Sequence, residues 1–344
     1  MIRDTGRIAD RFRAFVEEAR SHGSPLYEHL SRCVSEDSEA LAIAAEVLRP
    51  PVPNTFFAAV HFILLKEPHH RLGRYYGSVA EIPESPEDAY PVFREFLLEH
   101  RSEIIPILLE RMTQTNEVRR CSYLVPAFQW IFEKGGGRDL ALIDVGCSAG
   151  LHMLWDRYFY DYGSGQIGNP LSPVRIDCEV RGPLAPPVPE AFPPCAYRVG
   201  IDLHPIDLQN PEERRWLEAL VFPDHADRRS LLSAAIDVAM QSPAHVEPRM
   251  IAGDAIAILP EMLGEVPDAT SLCVYHCHAM CQLSEADWKA FGEMLVAQSA
   301  NREIFWLNAE GYEVRVRHLR NGQAGWVNLA NKDGHGRWLE WLGN

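Results

Sequence analysis

Basic residues are scarce in this chain. It holds 33 Lys and Arg against 48 Asp and Glu, a formal net charge of −15 over 344 residues, and no stripe of Lys and Arg interleaved with aromatics offsets that locally. A phosphate backbone would be repelled over most of such a surface, so nucleic acid is not an expected partner. An apolar run long enough to span a bilayer is also missing, and the opening MIRDTGRIADRFRAF carries charge where a signal peptide needs an apolar core. The expectation is a cytoplasmic protein with no membrane contact. The eight cysteines lack an ordered spacing, and Cys147 and Cys273 lie inside apolar runs, a setting for reduced, buried thiols and not for a disulfide framework. With 47% hydrophobic and 24% charged residues, disordered and collagen-like classes drop out.

What is present divides at Gly135-Gly136-Gly137. Before it, IADRFRAFVEEAR, SEALAIAAEVLR, FFAAVHFILLK, AYPVFREFLLEHRSEIIPILLERM and SYLVPAFQWIFEK repeat apolar residues at three- and four-residue steps, separated by Pro and Gly clusters. After it, strand runs alternate with helical ones. DLALIDVG leads, and LHMLWDRYFYDY reads as a helix behind it; YRVGIDL, RMIAGD, SLCVYHC and REIFWLNAE follow, with helical patterns between most of them. That alternation predicts an α/β fold with a mostly parallel, Rossmann-like sheet. Residues 163–196, rich in Gly and Pro, read as an insertion with short strands, and the C-terminus alternates around Asn321-Gly322 and Asp333-Gly334 like an antiparallel ending. Expected, then, are an all-α domain over 1–135, able to close over a cleft, and an α/β domain over 136–344.

The stretch GCSAG, Gly146 to Gly150, can be read in two ways. As G-x-S-x-G it matches the nucleophile elbow of serine hydrolases, with Ser148 as nucleophile, Asp254 or Asp268 as acid and His335 as base. As D-x-G-x-x-x-G it matches a nucleotide loop, whose glycines let the backbone turn tightly and approach a ligand ahead of a helix N-terminus. An elbow normally follows several earlier strands, whereas here about 135 helical residues precede it, so the order of elements favours the second reading. Asp144 fits it too: a carboxylate closing a buried strand needs a partner, and an amino-bearing ligand would supply one.

The series IDVGCSAG, VGIDLHP, IAGDAIAILP and LCVYHCHAM resembles the class I S-adenosylmethionine-dependent methyltransferases. The resemblance implies that Asp144, Gly146, Cys147, Ser148 and Gly150 form the loop near the methionine part of the cofactor, with Ser148 where a glycine is usual. It further implies Asp202 and Leu203 at the ribose, Asp254 and Ala255 near the adenine, Tyr275 among the cofactor-binding residues, and the cluster ending the fourth strand facing the transferred methyl. Asp202 lies well beyond the roughly twenty residues usual after such a loop, an excess the Gly/Pro-rich insertion accounts for. NEVRRCSYLVPAF, the loop with its helix, RRWLEAL and GHGRWLEWL are together similar to a functionally uncharacterised bacterial family with a helical N-terminal region and an SAGLN-type loop. That family's pattern has Asn where this chain has His152 and Ser where it has Cys121.

On this reading the activity is methyl transfer from S-adenosylmethionine to a small molecule. His276 or His278 would serve as base if the acceptor is protonated, and Asn116, Arg120 and His152 would reach the cleft on the substrate side. The alternatives are a non-catalytic nucleotide-binding module and the hydrolase. His276, Cys277, His278 and Cys281 carry zinc-type donors but lack a matching second pair, so no metal is expected. Asn116 is also a good helix cap, Glu117 reads as part of a solvated turn, and Asp156 with Arg157 as a surface pair. His69-His70 reads as a surface loop; Tyr75-Tyr76, Trp216, Trp338 and Trp341 read as packing residues.

Overall fold

The computed structural model describes residues 4–242, 248–280, 283–320 and 325–343. In chain order the helices are α1 (Thr5–Ser21), α2 (Pro25–Val34), α3 (Ser38–Ala44), α4 (Val52–Lys66), α5 (Ala89–Glu99), α6 (Arg101–Glu110), α7 (Cys121–Lys134), α8 (Pro211–Leu220), α9 (Ala226–Met240), α10 (Ala255–Glu265) and α11 (Glu285–Gln298). The strands are β1 (Leu140–Val145), β2 (Phe159–Asp161), β3 (Gln166–Ile167), β4 (Arg175–Asp177), β5 (Glu179–Arg181), β6 (Cys195–Asp202), β7 (Arg249–Ala252), β8 (Ser271–His276), β9 (Ile304–Asn308), β10 (Glu313–Leu319), β11 (Trp326–Lys332) and β12 (Trp338–Trp341). The chain divides into two compact units, one of residues 1–115 with 209–230, the other of 116–208 with 231–344.

The first unit is helical. Asp4 caps α1 by accepting from the Gly6 and Arg7 amides, and Ser24 caps α2, where Pro25 sits in the first turn. The three- and four-residue spacing of α1 buries Ile8, Phe12, Phe15 and Ala19. Phe12 meets Phe56 and Phe57 edge-on at 5.5 and 5.7 Å, and Tyr27 stacks on Phe57 at 4.6 Å. α4 is apolar on nearly every face and needs cover all round. Part of that cover is α8: Trp216 packs on Phe62, and the buried His61 ring meets the Ala219 carbonyl at 3.0 Å. The run AYPVFREFLLEHRSEIIPILLERM forms α5 and α6, broken at His100, whose ring folds back on Phe96.

The second unit is α/β. Its sheet runs β5-β12-β11-β10-β9-β8-β1-β6-β7. Pairing is parallel from β7 through β6, β1 and β8 to β9. It turns antiparallel through β10, β11 and β12, with β5 parallel to β12 at the edge. The insertion supplies β5 and most of a small sheet, β3-β2-β4. On one face Ala141, Ile143, Val145, Val274 and Ile201 pack under Leu259, Met262, Phe291 and Leu295 of α10 and α11. On the other, Phe128 of α7 meets Tyr275 and Trp155, both at 5.3 Å. Side chains alternate along a strand, so Asp144 points to this α7 face.

One expectation is corrected. The segment behind GCSAG is not a helix through Tyr162: Leu151–Arg157 is a 3-10 helix, and Phe159–Asp161 is β2. The Tyr158 hydroxyl donates to the Leu151 carbonyl and that of Tyr160 to the Trp155 carbonyl, while the Phe159 amide goes to Val174. Side chains thus take the acceptors a further α-turn would have used. The Asn321-Gly322 turn lies outside the described residues; Asp333–Arg337 does join β11 to β12.

Candidate functional site

The chain leaves β1 toward β6 on one side, while β8 fills the other side, so the strand order reverses between β1 and β8. In open parallel sheets the crevice outside the carboxyl ends of the strands at such a point is where ligands bind. Two loops meet there, 146–150 after β1 and 277–280 after β8.

The first loop is pulled tight by side-chain acceptors. The Ser148 amide donates to Asp202 Oδ2 at 2.9 Å, the His204 amide to Oδ1 at 2.9 Å, and the Leu151 amide to Asn116 Oδ1 at 2.9 Å. Gly146 has φ 80°, and a Cβ there would lie 2.1 Å from that of Ala279, so the two loops touch. Ser148 takes φ 53°, left-handed backbone without glycine's freedom, and is 3% exposed. Cys147 packs over Gly200, where a Cβ would lie 2.6 Å from its sulfur.

Asp144, at the end of β1, is 1% exposed, and its Oδ2 has no hydrogen-bond partner among the described residues. Burial pushes its carboxyl up to about 8; the Tyr275 hydroxyl pulls the other way and Asp202 adds to the rise. Tyr275 sits directly beside it in the β1–β8 register, yet among the described residues its hydroxyl also lacks a hydrogen-bond partner.

His276 is fully buried on the opposite face. The Trp306 indole N–H donates to its Nε2 at 3.0 Å, and its Nδ1 lies 2.9 Å from Glu310 Oε1. Indole can only donate, so Nε2 is the acceptor, and the proton sits on Nδ1, pointing at Glu310. Both ring nitrogens are therefore engaged. Glu310 Oε1 also accepts from the Ala279 and Met280 amides at 3.0 and 3.1 Å, which fixes the second loop. These bonds hold its carboxyl below the usual range against the opposing effect of burial.

His278, at φ 54°, turns toward a cluster of buried cations. Lys332, 1% exposed, donates to His278 Nε2 at 2.9 Å and to the Gly311 carbonyl at 2.7 Å, with its ammonium 4.7 Å over the Tyr123 ring. Arg120, 8% exposed, donates through Nε to the Gly334 carbonyl at 3.1 Å. Burial, with Arg120 and Lys332 alongside, lowers the His278 ring to about 2; burial lowers the Lys332 ammonium to about 8. His152 Nε2 meets the Glu117 carbonyl at 2.9 Å, and burial beside Arg120 lowers that ring to about 4. The Cys121 thiol lies 3.8 Å from the His152 carbonyl, so the two positions departing from the SAGLN-type pattern adjoin each other.

Sequence reasoning named Asp144, the loop, Asp202, Asn116, Arg120, His152, His276 and His278; it missed Glu310, Trp306 and Lys332. The one available signal was a lysine in step with buried Ala330 on β11. Glu117 is buried and accepts from the Arg119 amide, unlike the solvated turn expected. Asp156 pairs with Arg198, not with Arg157. Leu203 is exposed, and Asp254 is exposed and caps α10 next to Ala255. Asp268 precedes β8, at the end of the sheet away from Ser148. Cys281 lies outside the described residues, among which no group of three His, Cys, Asp or Glu is placed to hold a metal. A shallow cavity of about 530 Å³ also lies at that far end, lined by Lys134, Arg138, Arg302 and Arg320, and shares no residue with the crevice.

Comparisons with curated proteins and with solved structures each returned no match. A family model described as an uncharacterized protein conserved in bacteria (DUF2332) matches residues 9–341. That span covers the loops, the acids and the buried cations alike, and the chain belongs to this bacterial family.

Proposed function

We propose that this protein transfers a methyl group from S-adenosylmethionine to a small-molecule acceptor. The supporting observation is the strand reversal between β1 and β8, where Asp144 and Asp202 end adjacent parallel strands and Asp254 follows the next one over. The residues fit the cofactor chemically. Asp144 offers a buried oxygen without a partner, suited to an ammonium group. Asp202 accepts from the Ser148 and His204 amides at the end of β6, where a carboxylate would face the ribose hydroxyls. Asp254, with Ala255, would stand near the adenine.

A sulfonium methyl is already activated, so the cofactor supplies the electrophile. The chain's own work is to bind and align. Asp144 would give up its proton as it accepts a hydrogen bond from the ammonium. His276, with both nitrogens engaged, holds the 277–280 loop through Glu310. His278, with Lys332 donating to it, stays neutral near pH 7, which favours an acceptor that attacks without first losing a proton.

Calorimetric titration with S-adenosylmethionine and its demethylated product tests this, repeated on Asp202→Asn. Binding to wild type, weakened in the variant, is expected; no binding to wild type overturns the proposal. Binding without turnover over an acceptor panel would favour a binding module. The positive φ of Ser148 is the one observation that favours a hydrolase. Fluorophosphonate labelling lost in Ser148→Ala would establish that alternative.

A further inference from the structure

Two cations, Arg120 and Lys332, are buried at the carboxyl end of the sheet, with Glu117, Glu310 and Asp333 near them but none in direct ion-pair contact among the described residues. No Asp or Glu among the described residues forms an ion pair with Arg120 or Lys332. Among the described residues Arg120 donates a side-chain hydrogen bond through Nε alone, and its two terminal nitrogens make none. Lys332 gives two of its three protons to Gly311 and His278. Glu310, a buried acid of the same cluster, gives Oε1 to the His276 ring and the Ala279 and Met280 amides, and its Oε2 makes no hydrogen bond to either cation. A buried guanidinium is normally matched by an anion, because desolvating it without one is unfavourable.

We infer that Arg120 and Lys332 form a binding site for the carboxylate of a small organic acid. The free edge of a guanidinium is a planar fork that fits a carboxylate, and the third ammonium proton of Lys332 can add to it. Charge favours a monoanion: Glu117, Glu310 and Asp333 near the two cations hold the local positive charge down, which disfavours a doubly charged phosphate. His278 and His152 stand beside the cluster as neutral rings, and the Tyr123 hydroxyl, 3.2 Å from the Cys277 sulfur, closes one side. The inference stands whether or not the chain binds S-adenosylmethionine. The carboxylate could belong to that cofactor's methionine part or to a second molecule.

The test is titration of the full chain with acetate, benzoate and phenylacetate, and with the three matching amides, read by calorimetry or ligand-detected NMR. At least one carboxylate should saturate one site while its amide does not. Arg120→Gln should weaken that binding by ten- to about a hundredfold, the range of hydrogen bonds to a charged group. Arg337→Gln, an exposed residue of the neighbouring turn, should leave it unchanged. Circular dichroism checks that Arg120→Gln is folded, and Arg120→Lys, which keeps the charge but not the fork, should bind with intermediate affinity. The inference is overturned if no carboxylate binds wild type, if amides bind equally well, or if folded Arg120→Gln binds like wild type. Two outcomes support it and separate the sources. If S-adenosylmethionine outbinds its decarboxylated analogue and Arg120→Gln erases the difference, the carboxylate is the cofactor's. If benzoate and S-adenosylmethionine bind together, it belongs to a second molecule.

Discussion

Asp144 retains its proton near neutral pH because it is buried, and that makes it measurable. Its folded value, about 8, is above the ordinary 3.8, so the native state holds a proton that the unfolded chain releases over that interval. Its contribution to stability is complete below about pH 4 and is lost as pH rises toward 8. Asp144→Asn, which cannot ionise, should gain on wild type by up to about 1.4 kcal/mol per pH unit across that window. Urea unfolding of both proteins at pH 5 and pH 7 reads the difference; parallel pH profiles would refute the assignment. The same proton reports on ligand. An ammonium docking on Asp144 at pH 7 should release close to one proton, so the calorimetric enthalpy for S-adenosylmethionine should vary with the ionisation enthalpy of the buffer. An enthalpy independent of buffer would place the ammonium elsewhere.

At the scale of elements, the two loops at the strand reversal are each fixed by an acid from the end of another strand or just beyond it, Asp202 closing β6 and Glu310 following β9. Glu310→Ala would strip the Ala279 and Met280 amides and the His276 ring of their acceptor, at a cost of roughly 3 kcal/mol. Hydrogen exchange should then quicken at Ala279 and Met280 while β1 keeps its protection; unchanged exchange at those two amides would count against Glu310 as the anchor. Gly146→Ala meets both a clash with Ala279 and a φ of 80°, and should destabilise strongly. Adding Ala279→Gly should recover the clash but leave about 1 kcal/mol of backbone strain. Full recovery would show that φ there relaxes freely.

Much of this scaffold was readable in one dimension. β1, β6, β7, β8 and β9 and the helices between them follow their hydrophobic periods, and Asp144 stood out as a carboxylate in a buried run. The 3-10 turn did not show, because what shortens it is the reach of two tyrosine hydroxyls back to Leu151 and Trp155 and of the Asn116 side chain across 35 residues. Glu310 and Lys332 were hidden for a related reason. Glu310 matters only because the parallel pairing of β9 with β8 brings it to the end of β8, and Lys332 because the antiparallel β10 and β11 carry it back to the same end; in the sequence both lie beside polar turns. His276 read as a base until the strand pairing put Trp306 and Glu310 on its two nitrogens.

Across the whole molecule, acid sensitivity should have two separate origins. His61 in the helical unit and His152 in the α/β unit are both lowered by burial to about 4. Unfolding lets each take up a proton at its ordinary value, so stability fully present above about pH 6.5 is lost as pH falls toward 4, at up to about 1.4 kcal/mol per pH unit for each ring. Thermal unfolding of His61→Gln and His152→Gln against wild type should show each variant shedding part of that slope. Identical slopes would mean other groups drive it.

The helical unit is discontinuous in the chain, and α8, which covers Phe62 and His61 of α4, is encoded about a hundred residues after the rest. At bacterial synthesis rates that gap is roughly 5 to 20 s. For that interval the nascent helices emerge from the ribosome with a greasy flank uncapped, while the first strand of the sheet is already being made. The unit is thus a client for chaperones at each round of translation. Expression of residues 1–115 alone should give insoluble protein that becomes soluble when 209–230 is supplied in trans.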